Sequence, residues 1–206
     1  MSKRSTPPAT DLVWTIPNLL SAARMILSIV FFVLVERQDF AAATVLFLLA
    51  ATTDWVDGWY ARRFNQVSRL GRILDPLVDK VLVCGAFIFL AARPGTSILP
   101  WMAVVVVVRE LVVTAVRAEM ERAGRDFSAG MAGKLKMVLQ CAAVAVELGR
   151  LGFPSLFRGI EAGGIQAGAI ASVLAWAAVI LTAYSGAEYV VKAWPVLTGR
   201  DPLARS

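Results

Sequence analysis

The sequence predicts an all-α integral membrane protein with six transmembrane helices. Both termini, and a working site at one end of the bundle, fall on the cytoplasmic side. Three observations lead there. Of 206 residues, 58% are hydrophobic and 17% charged, whereas a soluble domain carries about 25% charged residues. Long stretches hold no charge at all: Phe40 to Thr53, Val81 to Ala92, Ser97 to Val108, and Gly164 to Ala187. The basic residues, finally, sort by loop.

A helix needs roughly 20 mostly apolar residues to cross the hydrocarbon core. The apolar runs place six spans near 17–36, 40–61, 72–92, 97–118, 132–150 and 166–191. Residues 1–16 form a short polar lead, with Trp14 as an interface anchor, and 192–206 form a cytoplasmic tail. The first span contains Arg24 and is too long for a cleaved signal peptide. With the N-terminus inside, the cytoplasmic segments hold Lys3, Arg4, Arg62, Arg63, Arg69, Arg72, Arg117, Arg122, Arg125, Lys134, Lys136, Lys192, Arg200 and Arg205. The outer side holds Arg37, Arg93, Arg150 and Arg158. That asymmetry follows the positive-inside rule. The net charge of +6 therefore reads as topology and not as a nucleic-acid surface.

The chain has no histidine. Imidazole bases and histidine metal sites are excluded, which leaves carboxylates, lysine, arginine or a metal held by oxygen. The two cysteines, Cys84 and Cys141, sit inside apolar spans without metal-like spacing and read as apolar filler.

Four aspartates stand out between the second and third spans: Asp54, Asp57, Asp75 and Asp79. On a helix, residues three or four apart share a face. Asp54 and Asp57 therefore pair at the end of one span, and Asp75 and Asp79 at the start of the next. Pro76 suits a first helical turn there. A short polar connection makes the two helices antiparallel neighbours, so the pairs face each other near the cytoplasmic surface. Converging carboxylates repel, and cations relieve the repulsion. An all-oxygen site favours Mg²⁺, Mn²⁺ or Ca²⁺ over zinc. Bridging carboxylates admit two ions about 3.5–4 Å apart, the arrangement that assists phosphoryl displacement. Gly58 and Ala61 leave room for a bulky ligand near the backbone, Arg62 suits a phosphate, and Gly71 precedes Asp75 by one turn. The plainer alternative is four loop charges balanced by Arg62, Arg63, Arg69 and Arg72.

Other charges lie within apolar helix. Arg109-Glu110-x3-Thr114-x2-Arg117 interrupts the fourth span, with the arginines on neighbouring faces by helical geometry. A basic residue buried in a membrane marks function by default; the alternative is that Arg109 pairs with Glu110 or the aspartates. Gly133-Lys134-x-Lys136 opens the fifth span, with Gln140 one turn on. Lys134 either joins Arg109 and Arg117 in a pocket for an anionic acceptor or snorkels to the interface.

Written out, the acidic stretch is Asp54-x2-Asp57-Gly58-x2-Ala61-Arg62-x8-Gly71-x3-Asp75-x3-Asp79. It resembles the signature of the CDP-alcohol phosphatidyltransferase family, with every signature position filled. The resemblance implies a six-helix membrane enzyme that works with divalent metals. Such an enzyme transfers a phosphatidyl group from a CDP-linked lipid to an alcohol and releases CMP. Asp54, Asp57, Asp75 and Asp79 would bind two cations, Mg²⁺ or Mn²⁺, with Asp79 also the general base. Gly58, Ala61, Arg62 and Gly71 would bind the CDP-lipid.

Further segments resemble the bacterial members that use sn-glycerol 3-phosphate: IPNLL at 16–20 with Arg24, TDWVDGWYARR at 53–63, LDPLVDK at 74–80, VRELVVTAVR at 108–117 and GKLKMVLQ at 133–140. They imply CDP-diacylglycerol as donor and glycerol 3-phosphate as acceptor, its phosphate held by Arg109, Arg117 and Lys134. They also imply a homodimer in the inner membrane, among membrane lipids. Ser21 and Met137 depart from the threonines expected there. The segment 149–164 makes a longer outer loop than this pattern needs.

Two rivals remain. A related enzyme would use phosphatidylglycerol, as cardiolipin synthases do, or an inositol phosphate. A divalent-cation transporter also carries membrane carboxylates, but its site lies near the midplane and not at the ends of spans beside a basic loop.

Overall fold

The computed structural model describes the backbone of residues 16–64, 69–122, 131–161, 164 and 166–198. It describes side-chain surroundings for 22–52, 80–122, 131–158, 164, 166–196 and 198. The polar lead and the last residues of the tail lie outside these ranges, and around the acidic stretch only the backbone is described.

Every described element is helical: α1 (Ile16–Glu36), α2 (Phe40–Phe64), α3 (Arg69–Ala91), α4 (Pro100–Arg122), α5 (Met131–Gly152), α6 (Pro154–Glu161) and α7 (Ala167–Leu197). They group into two compact units, residues 1–82 and 83–206. Six long helices fall at the expected places. Among the described residues one, Ala167–Val196, is long and apolar enough to cross a membrane by that criterion alone, while Phe40–Thr52 and Lys80–Ala91 are shorter apolar stretches.

In the first unit, α1 and α2 form a helical hairpin. The Asp39 N–H donates to Leu34 O at 3.0 Å and the Gln38 N–H to Val35 O at 3.1 Å. That is a Schellman ending, with Gln38 at φ 64° in the left-handed position. Asp39 then caps α2: the Ala42 N–H donates to Asp39 Oδ1 at 3.1 Å. Phe31, Val35, Ala43, Phe47 and Ala50 are buried, and the Phe31 and Phe47 rings lie 5.7 Å apart.

In the second unit, α7 packs against α5 and α4. Contacts between α4 and α7 advance together, Trp101 with Trp176 and Arg109 with Ser185, so the two helices run parallel. Lys136 meets Glu110 while the later Glu147 meets the earlier Ser97, so α5 runs antiparallel to α4. The run Val104–Val108 has the composition of a strand. A bilayer admits only segments that satisfy their own backbone, which favours helix.

Residue size largely divides α7, with Val179 and Tyr189 as large residues on its buried face. Ala171, Ala175, Ala178, Thr182, Ser185 and Ala193 are buried, whereas Val173, Trp176, Ile180, Tyr184, Val191 and Trp194 are exposed. Small residues inside let helices approach closely. A stripe of large apolar side chains outside is costly in water and comfortable in lipid.

Three boundaries differ from expectation. Helix α3 begins at Arg69, so Pro76 lies beyond its first turn; Arg69, Leu70, Arg72 and Leu74 are good helix formers and extend the helix backward through Gly71. Helix α4 begins at Pro100 instead of 97, because proline suits a first helical position. The segment expected as an outer loop contains α6, and Phe157 packs so closely on Gly149 that a Cβ there would lie 3.2 Å from its ring. Cys84 and Cys141 are half-buried and form no disulfide, so they are not fully enclosed filler.

The size division yields a test. Ala175→Leu is expected to destabilise the protein by about 1–3 kcal/mol through overpacking. Ile180→Ala on the outward face is expected to stay within about 0.5 kcal/mol. Unfolding midpoints in detergent micelles compare the two.

Candidate functional site

The eight signature residues lie on two helices. Asp54, Asp57, Gly58, Ala61 and Arg62 belong to α2, and Gly71, Asp75 and Asp79 to α3. Their helical backbone carries the spacings three and four that place each aspartate pair on one face. Their side chains lie outside the described surroundings.

The second unit holds a buried polar cluster where α4, α5 and α7 meet. Glu110 is its centre. Its Oε1 accepts from Lys136 Nζ of α5 and, at 3.2 Å, from Arg109 Nη1. The three side chains are only 8–11% exposed. Arg109 Nη2 donates to Ser185 Oγ of α7 at 3.1 Å, and the Ser185 hydroxyl donates to Thr182 O at 3.1 Å. One turn further into α5, Gln140 Nε2 donates to Thr182 Oγ1 at 2.8 Å. Arg117 places its guanidinium 5.9 Å from the centre of the Tyr189 ring, within cation–π range.

Arg109 and Arg117 therefore both reach α7, where Ser185 and Tyr189 lie one turn apart. Helical geometry alone put them on neighbouring faces; α7 is broad enough to meet both. Arg109 makes the Glu110 pair that a purely structural role needs. Yet the Nε atoms of Arg109 and Arg117 are buried without a hydrogen-bond partner among the described residues. Lys134 is exposed in the first turn of α5, while Lys136 is buried. Of the two lysines, the one passed over as a ligand is the one built into the cluster. On a helix, residues two apart lie on different faces, so one lysine turns inward while the other turns outward.

Among the described residues the signs do not cancel. Around the Glu110 carboxylate stand Arg109 and Lys136, with Arg117 beyond. A surplus of guanidinium with buried, unsatisfied N–H groups suits a multivalent anion. Arg109 also lines a groove of about 330 Å³ between α4 and α7, with Val104, Val108, Val112, Gly186 and Val190.

The other end of this unit is tied shut. Glu147, fully buried, accepts from the Ser97 N–H at 2.9 Å and from Arg150 Nε at 3.1 Å. Arg150 Nη2 donates to Gly95 O at 2.6 Å, where Gly95 turns through φ 79°. Sequence reading missed Glu147, Ser185, Thr182 and Gly186. Only Glu147, as a charge in an apolar run, left a visible signal.

The profile of the CDP-alcohol phosphatidyltransferase family matches residues 14–184, and the chain belongs to that family. It is 35% identical over 201 residues to a Bacillus subtilis (strain 168) protein, covering 90% of this chain and 98% of that one. To an Escherichia coli K12 protein it is 35% identical over 183 residues, 86% of this chain and 93% of the relative. To a Salmonella paratyphi A protein it is 36% identical over the same length and shares. All three relatives are named CDP-diacylglycerol–glycerol-3-phosphate 3-phosphatidyltransferase. The family uses divalent cations in general.

The ion cluster makes its own prediction. Glu110→Gln leaves Lys136 and Arg109 facing a neutral amide in a buried site and is expected to cost about 3–5 kcal/mol. Adding Lys136→Met is expected to restore much of that loss, as read by chemical or thermal unfolding of the single and double variants.

Proposed function

We propose that the chain is a CDP-diacylglycerol–glycerol-3-phosphate 3-phosphatidyltransferase, a multi-pass enzyme of the inner membrane that works as a homodimer. The observation that carries this reading is the completely filled aspartate signature in a chain similar over 90% of its length to a relative of that name. Six long helices and the outward stripe of large apolar residues support a multi-pass course. The parallel and antiparallel order brings Arg117, Arg122, Lys134 and Lys192 to one end of the second unit. By the positive-inside rule that end is cytoplasmic, where a soluble anionic acceptor arrives.

Asp54, Asp57, Asp75 and Asp79 offer carboxylate oxygens only, a donor set that fits two hard cations such as Mg²⁺ or Mn²⁺. Bound there, such ions supply neutralisation of a diphosphate and of the charge that gathers on the leaving group. Gly58, Ala61 and Gly71 give the cytidine diphosphate close access to the backbone, and Arg62 meets a phosphate. Arg109, Arg117 and Lys134 hold the phosphate of glycerol 3-phosphate, Lys134 from its exposed position and the arginines from the cluster. Its primary hydroxyl attacks the phosphorus bearing diacylglycerol. One oxygen–phosphorus bond forms as the bond to CMP breaks. Asp79 takes the hydroxyl proton, since no histidine is available. The products are phosphatidylglycerophosphate and CMP, with no covalent enzyme intermediate.

Acceptor-dependent CMP release from CDP-diacylglycerol is the direct test. Glycerol 3-phosphate is expected to drive release well above phosphatidylglycerol or inositol phosphate. Preference for either of those replaces the acceptor, and no release with any alcohol removes the reaction. Within the site, Asp79→Asn is expected to keep CDP-lipid binding and lose roughly 100-fold or more in kcat. Arg109→Ala is expected to raise the KM for glycerol 3-phosphate more than that for CDP-diacylglycerol; an equal rise in both moves Arg109 out of the acceptor site.

A further inference from the structure

Gly186 sits buried within α7, between Ser185 and Ala187. Glycine is a poor helix residue, and nothing about the turn demands it here. What demands it is Arg109. A Cβ at position 186 would lie 2.8 Å from Arg109 Cγ, and 3.8 Å from both its Cβ and Nε. Real carbon atoms do not approach so closely. Cγ is the second carbon of the stem, so relief cannot come from the tip alone. The whole guanidinium must swing, together with the bonds from Nη2 to Ser185 and from Nη1 to Glu110.

We propose that Gly186 and Ser185 form a seat on α7 that positions Arg109 for the acceptor phosphate. Gly186 sets the depth at which the stem crosses α7, and Ser185 fixes the rotation of the guanidinium. Glu110 restrains it through Nη1, and among the described residues the buried Nε has no hydrogen-bond partner. Gly186 and Ser185 touch neither substrate nor metal in this scheme; they are positioning residues that tune affinity for the phosphorylated acceptor. The inference rests on the reading of Arg109 as a ligand of that phosphate.

The test uses the full chain in detergent–lipid micelles, with KM measured separately for glycerol 3-phosphate and CDP-diacylglycerol. A displacement on the order of an ångström costs up to about 100-fold, so Gly186→Ala is expected to raise the glycerol 3-phosphate KM about tenfold. The KM for CDP-diacylglycerol is expected to stay within about twofold, because uniform damage would move both. Ser185→Ala keeps the helix and adds no bulk; it is expected to raise the same KM about threefold by releasing Nη2. It also carries the test if Gly186→Ala fails to fold. In an Arg109→Ala background, where no Cγ remains, Gly186→Ala is expected to have no further effect on that KM, the non-additivity of a shared action. The inference is overturned if the two α7 variants leave the glycerol 3-phosphate KM unchanged, raise both KM values alike, or add to Arg109→Ala. If instead Arg109→Ala leaves that KM unchanged, the acceptor assignment itself fails.

Discussion

The buried carboxylate of Glu110 is the constraint around which the second unit is organised. An unpaired charge in a low-dielectric interior is too costly to persist. Glu110 must hold cations, and the cations it holds come from its own helix and from α5. Lys136 ties α5 to α4, and Arg109, held on its other side by Ser185, ties α4 to α7. Inside a bilayer no hydrophobic force drives one apolar helix toward another. Directional contacts then decide which faces meet and at what register. The Gln140–Thr182 bond one turn away repeats that logic with neutral groups.

Apolar packing supplies the closeness that these contacts need. Alanine and hydroxyl residues fill the inner face of α7 and large side chains fill its outer face. At the far end, Glu147 and Arg150 fasten the connection before α4 to the end of α5. That second ion pair is closed on itself and on backbone groups. The Glu110 cluster is not: it leaves buried guanidinium N–H groups without partners among the described residues. One end of the unit is therefore satisfied as a structural lock, and the other is the end at which the proposed acceptor phosphate binds.

The proposed chemistry divides along the chain in the same way. The donor side rests on α2 and α3, with oxygen ligands for cations and small residues beside them. The acceptor side rests on α4, α5 and α7, with cations for a phosphate. On the proposed reading the acceptor is set by the second group alone, so specificity would turn on the setting of a few basic side chains.

The sequence by itself determined the helical class, the places of six long helices, the acidic signature and the presence of charges inside an apolar fourth span. These are properties of composition and of spacing along one helix, and both are local. Only the tertiary structure decided that Lys136 is the buried lysine, that both arginines reach α7, and that a helix interrupts the connection between α5 and α7. Gly186, Ser185 and Thr182 look like apolar-helix filler until their neighbours are known. Their roles depend on which face of α7 meets α4 and α5, and at what depth. That is set by pairing between residues 42 to 76 positions apart, which no periodicity within a single helix records.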